Sequence, residues 1–207
     1  MTPENVEEFF KRLRELNPNP KCELDFTSPY TLMVAIILSA QATDKGVNKA
    51  TPALFAVADN PADMLALGEA GLKEYIKTIG LYNNKAKSIM AMSEMLIKNF
   101  GGELPRDRKL LETLPGVGRK SANVFLNVVY NEPRLAVDTH VFRVANRTGL
   151  AAGKNPLEVE EKLEEVVPEK YKYGASHWLV LHGRYICTAK NPKCSDCPVA
   201  DLCAWLP

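Results

Sequence analysis

The chain has 207 residues, 46% of them apolar, enough to bury a sizeable core in one large domain or two small ones. Its formal net charge of +1 gives by itself no sign of a nucleic-acid partner. The opening MTPENVEEFFKRL is charged and amphipathic rather than a leader, and the longest apolar run, Leu32 to Leu38, is too short to cross a bilayer. A soluble cytoplasmic protein is expected, in which the five cysteines stay reduced.

The hydrophobic pattern is helical nearly throughout. Val6, Phe9, Phe10 and Leu13 recur at helical spacing before Pro18 and Pro20 break the chain. Ser28-Pro29 supplies an N-cap and first turn for a buried helix reaching about Ala40, and Thr43 or Asp44 starts the next. Pro61 and Gly80 separate further short helices. Residues 84–99 form a longer one, with Ile89, Met92, Leu96 and Phe100 facing inward, ended by Gly101-Gly102. More helices are expected around 107–113, 119–130, 139–148, 156–166 and 171–186, while Leu135-Ala136-Val137 is an extended apolar triplet too short to argue a sheet. The fold class is all-α.

Charge is unevenly spread. Residues 105–150 hold eight cations against four anions, a local excess of +4, and 182–194 add Arg184, Lys190 and Lys193 with no acid. The balancing acids gather in 158–169. This asymmetry suits one basic face on a neutral protein, or a merely uneven surface.

The helix expected over 107–113 runs into Pro115-Gly116-Val117-Gly118, and another leaves at about 119. Gly116 and Gly118 bring bare backbone to a helix N-terminus, where free amides and the helix dipole favour an anion. An ordinary helix–helix corner would also use Pro and Gly. A P-loop is excluded because Arg119 precedes Lys120 and Thr113 stands where its first glycine would be. A dinucleotide fingerprint is excluded because residue 121 is Ser and no βαβ pattern surrounds it.

Cys187, Cys194, Cys197 and Cys203 read C-x6-C-x2-C-x5-C. In a reduced compartment this is a set of thiolate ligands rather than a disulfide framework. Zinc would suit four thiolates, and so would a [4Fe–4S] cluster. The long C-x6-C loop, with only one short pair, favours the cluster, which is larger than one ion. Lys190 and Lys193 lie in that loop, where a pinned segment would project them toward a phosphate backbone or simply into solvent. Cys22, far away, reads as a small buried hydrophobe.

Asp138, in Val137-Asp138-Thr139-His140, is placed to cap a helix, and a carboxylate held there also stays ionised and aimed. Lys120 is either a surface lysine in a first helical turn or a nucleophilic amine, whose deprotonation Arg119 and the positive helix end would favour.

Leu114-Pro-Gly-Val-Gly-Arg-Lys120, Val137-Asp-Thr-His140 and the four-cysteine spacing together resemble the endonuclease III family, helix–hairpin–helix DNA glycosylases with an iron–sulfur cluster. The likeness runs from about Asp25 to Cys203 and includes Leu38-Ser-Ala-Gln-Ala-Thr-Asp44, Ile79-Gly-Leu-Tyr82 and His182-Gly-Arg184. It implies two helical domains flanking a DNA-binding cleft. One is a six-helix domain over 22–132 with the hairpin; the other joins 1–21 to 133–207 and carries the [4Fe–4S] cluster. It further implies excision of oxidised pyrimidines from double-stranded DNA and cleavage at abasic sites. Lys120 would be the nucleophile, Asp138 would assist, and the amides of Gly116 and Gly118 would hold a phosphate. Gln41 and Leu81 would enter the space left by the extruded nucleotide. A monomer associated with the nucleoid is expected. Adenine-mismatch relatives are disfavoured, because they do not usually carry a lysine at this position and have a further C-terminal recognition domain. A non-catalytic DNA-binding or redox module would use Lys120 only as a phosphate contact.

Overall fold

The computed structural model describes residues 1–205, and among them it contains ten α-helices, two short 3-10 turns and no strand. The helices are α1 (Pro3–Leu16), α2 (Pro29–Ser39), α3 (Asp44–Phe55), α4 (Pro61–Ile76), α5 (Tyr82–Phe100), α6 (Arg108–Glu112), α7 (Arg119–Tyr130), α8 (Thr139–Thr148), α9 (Pro156–Val166) and α10 (Glu169–Tyr185). Among the described residues no helix is long and apolar enough to cross a membrane. The chain divides into two compact units, Glu23–Tyr130 and Met1–Cys22 with Asn131–Pro207.

The contiguous unit is built around α2. Its residues Tyr30 to Leu38 are buried on every side, the pattern of a central helix rather than a surface one. Ser28 and Thr31 form a capping box at its start. Helices α3, α5 and α7 pack directly on it. Helix α5 contributes Ile89, Met92 and Leu96 to the core, whereas Phe100 is only half-buried in the last turn. Residues 61–76 form one helix kinked at Gly68 (φ 73°, ψ 164°), a backbone conformation that only glycine adopts cheaply.

The other unit is closed by α1. Val6, Phe9, Phe10 and Leu13 make one apolar stripe, and all four are buried. Phe10 stacks on Tyr171 at 5.8 Å, and the Tyr171 hydroxyl donates to Glu7 Oε1 at 2.8 Å. The Trp178 indole N–H donates to Asn17 O at 2.8 Å, and the Met1 amino nitrogen donates to Gly149 O at 3.1 Å, so α1 is anchored at both ends. Each large side chain removed from water contributes about 1.5–3 kcal/mol. Leu135, Ala136 and Val137 are buried and form no strand, and the Ala136 N–H donates to Ser176 Oγ at 2.7 Å. Cys22 is half-buried in the irregular segment that follows α1, not the core residue expected from its type.

Candidate functional site

The hairpin between α6 and α7 owes its shape to alternating duties. Asp107 caps α6 by accepting from Leu110 N at 2.9 Å. Leu111, Leu114 and Val117 point inward, each at most 5% exposed, and the turn closes through Val117 N–H to Leu114 O at 3.0 Å. The two glycines differ. Gly116 has φ +83°, and a Cβ there would lie 2.8 Å from Ser88 Cβ and 3.4 Å from Ile37 Cγ2, so the fold itself demands glycine. Gly118 has no atom within 4 Å of the place a Cβ would take. Nothing in its immediate surroundings within the chain requires that space to stay empty. Gly118 O accepts the first bond of α7 from Ala122 N at 3.0 Å. The first turn of α7 holds Arg119 and Lys120 and no acid, so no side chain of that turn offsets the positive end of its dipole. Lys120 is exposed there.

Gln41 and Leu81 share an unusual backbone. Both are exposed, and both lie in the left-handed region, at φ 53° and 59°. For a leucine this is a strained conformation, and with 56% of its surface exposed it recovers little by burial. The two loops adjoin, since the Cβ position of Gly80 is 4.0 Å from Gln41 O.

Asp138 caps α8. Its Oδ1 accepts from His140 N at 2.8 Å and Val141 N at 2.9 Å, while Oδ2 has no hydrogen-bond partner among the described residues. Arg143 ties this helix to the last turn of α10 and the residues just beyond it, donating from Nε to Cys187 O at 3.0 Å and from Nη2 to Gly183 O at 2.8 Å. Gly183 permits the approach of α10 to α8, because a Cβ there would meet His140 Cβ at 2.8 Å.

Cys187, Cys194, Cys197 and Cys203 line one cavity of about 170 Å³, together with Ile186, Ala200 and Trp205. No group of three or more His, Cys, Asp or Glu among the described residues is placed to hold a metal ion. The four thiols share the lining of this one cavity, and that thiol-rich lining fits a [4Fe–4S] cluster. Burial pushes the Cys197 thiol up, and the other three cysteines push it further. His182 Nε2 lies 3.7 Å from Cys197 Sγ, and burial pushes this imidazole down to about 4. Arg147 reaches over the first cysteine, donating from Nη1 to Thr188 O at 2.7 Å and from Nη2 to Ala189 O at 3.0 Å. Nη1 is also 3.7 Å from Cys187 Sγ. Its guanidinium stacks over Trp205 at 4.6 Å. These groups satisfy and orient the loop around the sulfurs. Lys190 and Lys193 are exposed on that loop, which is closed by Thr188 Oγ1 to Lys190 O at 2.8 Å and Lys193 N to Ile186 O at 3.0 Å. Arg143 and Arg147 went unassigned in the sequence; their one available signal was the four-residue spacing that puts both on one face of α8.

Comparison with known proteins gives first a class. Residues 34–169 match the HhH-GPD superfamily of base excision DNA repair proteins, and residues 187–203 match the iron–sulfur binding domain of endonuclease III. Endonuclease III of Escherichia coli strain K12 is 56% identical over 96% of this chain and 94% of its own length. That of Treponema pallidum strain Nichols is 52% identical over 96% and 94%. A solved structure of a trapped covalent intermediate between endonuclease III and DNA superposes with a TM-score of 0.93, at 40% identity, over 99% of this chain and 96% of that one. A thermostable thymine-DNA glycosylase superposes at 0.87, with 25% identity, over 98% of this chain and 96% of that one. The chain belongs to the endonuclease III family. It is a base-excision-repair enzyme, a DNA glycosylase with abasic-site lyase activity, and its cofactor is a [4Fe–4S] cluster.

Proposed function

We propose that this enzyme excises oxidised pyrimidines from double-stranded DNA and cuts the strand 3′ to the resulting abasic site, acting as a monomer in the cytoplasm, on the nucleoid. The neutral Lys120 amine attacks C1′ of the damaged nucleotide. The N-glycosidic bond breaks with its electron pair going to the departing base, which takes up a proton. Opening of the sugar ring gives a Schiff base between Lys120 and C1′. Loss of a C2′ proton then expels the 3′ phosphate by breaking the C3′–O bond, and hydrolysis frees the lysine. Asp138 assists the attack and offsets positive charge that develops on the sugar, a role for which Oδ2 remains available while Oδ1 caps α8. Amides at Gly116 and Gly118 hold a phosphate, Gln41 and Leu81 fill the space the nucleotide leaves, and Lys190 and Lys193 contact the backbone. Cys187, Cys194, Cys197 and Cys203 would hold the cluster, which would order the loop bearing those two lysines.

The observation that carries this reading is Gly118. Its side-chain space is empty for no reason internal to the chain, and it adjoins an acid-free helix start with an exposed lysine. Backbone kept bare toward solvent beside a cationic nucleophile suits an anionic polymer. The relative at 0.93 forms a covalent intermediate with DNA, as expected for lysine attack. The test is borohydride trapping on a duplex carrying one thymine glycol, with wild type and Lys120→Gln. A covalent adduct in wild type, absent in a variant that still binds, is expected. No adduct and no strand cut from folded, cluster-loaded protein would overturn the proposal.

A further inference from the structure

Lys85 is a lysine in an apolar place. It lies one turn into α5, is only 6% exposed, and its ammonium nitrogen donates to Leu38 O at 2.9 Å. Leu38 belongs to the last turn of α2, where carbonyls lack intrahelical partners. The neighbouring carbonyls are satisfied locally: Ile36 O by Ser39 Oγ at 2.8 Å, Ile37 O by Ala40 N at 3.4 Å, and Ser39 O by Ala42 N at 3.0 Å. Leu38 O is satisfied from 47 residues away. Burial holds the Lys85 pKa below the ordinary lysine range, a cost that an exposed lysine would avoid.

The position explains the cost. Gln41 stands three residues beyond Leu38, and Leu81 one turn before Lys85, whose own N–H donates to Leu81 O at 3.1 Å. Both are the exposed left-handed residues described above. Strained backbone persists only where its surroundings over-determine it. The Lys85–Leu38 bond joins the helix that ends before Gln41 to the helix that begins just after Leu81.

We propose that Lys85 is a positioning residue, which locks the Gln41 loop and the Leu81 loop into one preformed wedge before DNA arrives. This rests on the reading that both residues enter the duplex. A preformed wedge lowers the ordering needed while the nucleotide leaves the stack. It gives no advantage on a lesion already unpaired.

The experiment compares Lys85→Met with wild type in single-turnover excision of thymine glycol from two duplexes. In one the lesion pairs with adenine; in the other it faces a tetrahydrofuran spacer, so no pair has to be broken. Active enzyme is counted by borohydride trapping, which removes misfolded protein from the rate. Lys85→Gln, too short to reach the carbonyl, gives the same comparison if Lys85→Met does not accumulate. Displacing the wedge is expected to slow the paired substrate about tenfold to a hundredfold and leave the spacer substrate unchanged. Equal slowing on both, or on neither, overturns the proposal. Leu81→Gly is run alongside. If it matches wild type on the paired substrate, the duplex-entry reading fails and the proposal falls with it. If Leu81→Gly is selectively slow and the Lys85 variant is not, the clamp alone is wrong.

Discussion

Replacing each hairpin glycine by alanine separates packing from DNA contact. In Gly116→Ala the new methyl carries two costs. A left-handed φ costs an L-residue about 1–2 kcal/mol, and the existing φ is +83°. The Cβ also lands 2.8 Å from Ser88 Cβ, an atom next to backbone that cannot swing aside. Overpacking of this kind costs about 1–3 kcal/mol. A central figure of about 3 kcal/mol lowers the melting temperature by roughly 6–12 °C for a chain of this size. Gly118→Ala meets nothing within 4 Å. The loss of a tolerated N-cap and the gain from a stiffer unfolded chain are opposed and similar in size, so the net change is within about 1 kcal/mol. Its methyl instead occupies the approach to the amides, and loss of one charge-assisted hydrogen bond weakens binding by about tenfold or more. Circular dichroism melts and fluorescence anisotropy with a duplex bearing a non-cleavable abasic analogue read the two effects separately. A Gly118→Ala variant that binds like wild type would refute the argument from empty space. A Gly116→Ala variant that melts like wild type would refute the packing argument.

Asp138→Asn keeps an acceptor for His140 and Val141, so stability holds while excision falls by about 10²–10³-fold; Asp138→Ala loses about 1 kcal/mol as well. Single-turnover rates and urea titrations on both variants check this, and an Asn variant with the wild-type rate would remove Asp138 from the chemistry. Cys197→Ser is expected to lose the broad visible absorbance of the cluster and to expose the 187–203 loop to protease, and full iron and sulfide content in that variant would reject Cys197 as a ligand. Glu7 is held below its ordinary value of 4.5 by Lys170, 2.6 Å away, and then by the Tyr171 hydroxyl. Its contribution is complete above pH 4.5 and lost as the pH falls through the lower folded value. The stability difference between wild type and Glu7→Gln should therefore shrink on acidification below pH 4.5, and a difference that grows there would contradict the sign.

Much of the helical fold is legible because period and punctuation agree. The stripe Val6, Phe9, Phe10, Leu13 and the pair Ser28-Pro29 mark α1 and α2 without ambiguity. Residues 61–76 are harder, since a glycine inside a helical pattern reads the same whether the helix continues, kinks or ends, and the left-handed φ at Gly68 leaves no mark in the sequence. The cysteines mark a candidate metal site by spacing alone. That Leu81 is left-handed has no sequence signal, because nothing in the pattern distinguishes it from an ordinary apolar residue. Lys85 is misleading for the same reason: lysine in a helix reads as solvent-facing, and its burial depends on a carbonyl far away in sequence. Arg143 and Arg147 are legible as one helix face, but not as partners of the 183–189 backbone.

The anchoring of α1 has a consequence for biosynthesis. Its stripe shares a core with residues beyond 130, yet it leaves the ribosome before them, and roughly a hundred residues of the contiguous unit are made in between. At roughly 5–20 residues per second, Phe9 and Phe10 wait about 8–34 s for Tyr171 and Trp178, more than 160 residues further on, to be polymerised, and longer for them to emerge. During that interval α1 is a short amphipathic peptide with an uncovered apolar face, the kind of surface that chaperones bind. The contiguous unit has no such delay and can complete its core while the rest is still being translated. Newly made protein therefore passes through a state in which the hairpin can already fold while the cysteine loop, part of which packs in the same core as α1, is not yet synthesised.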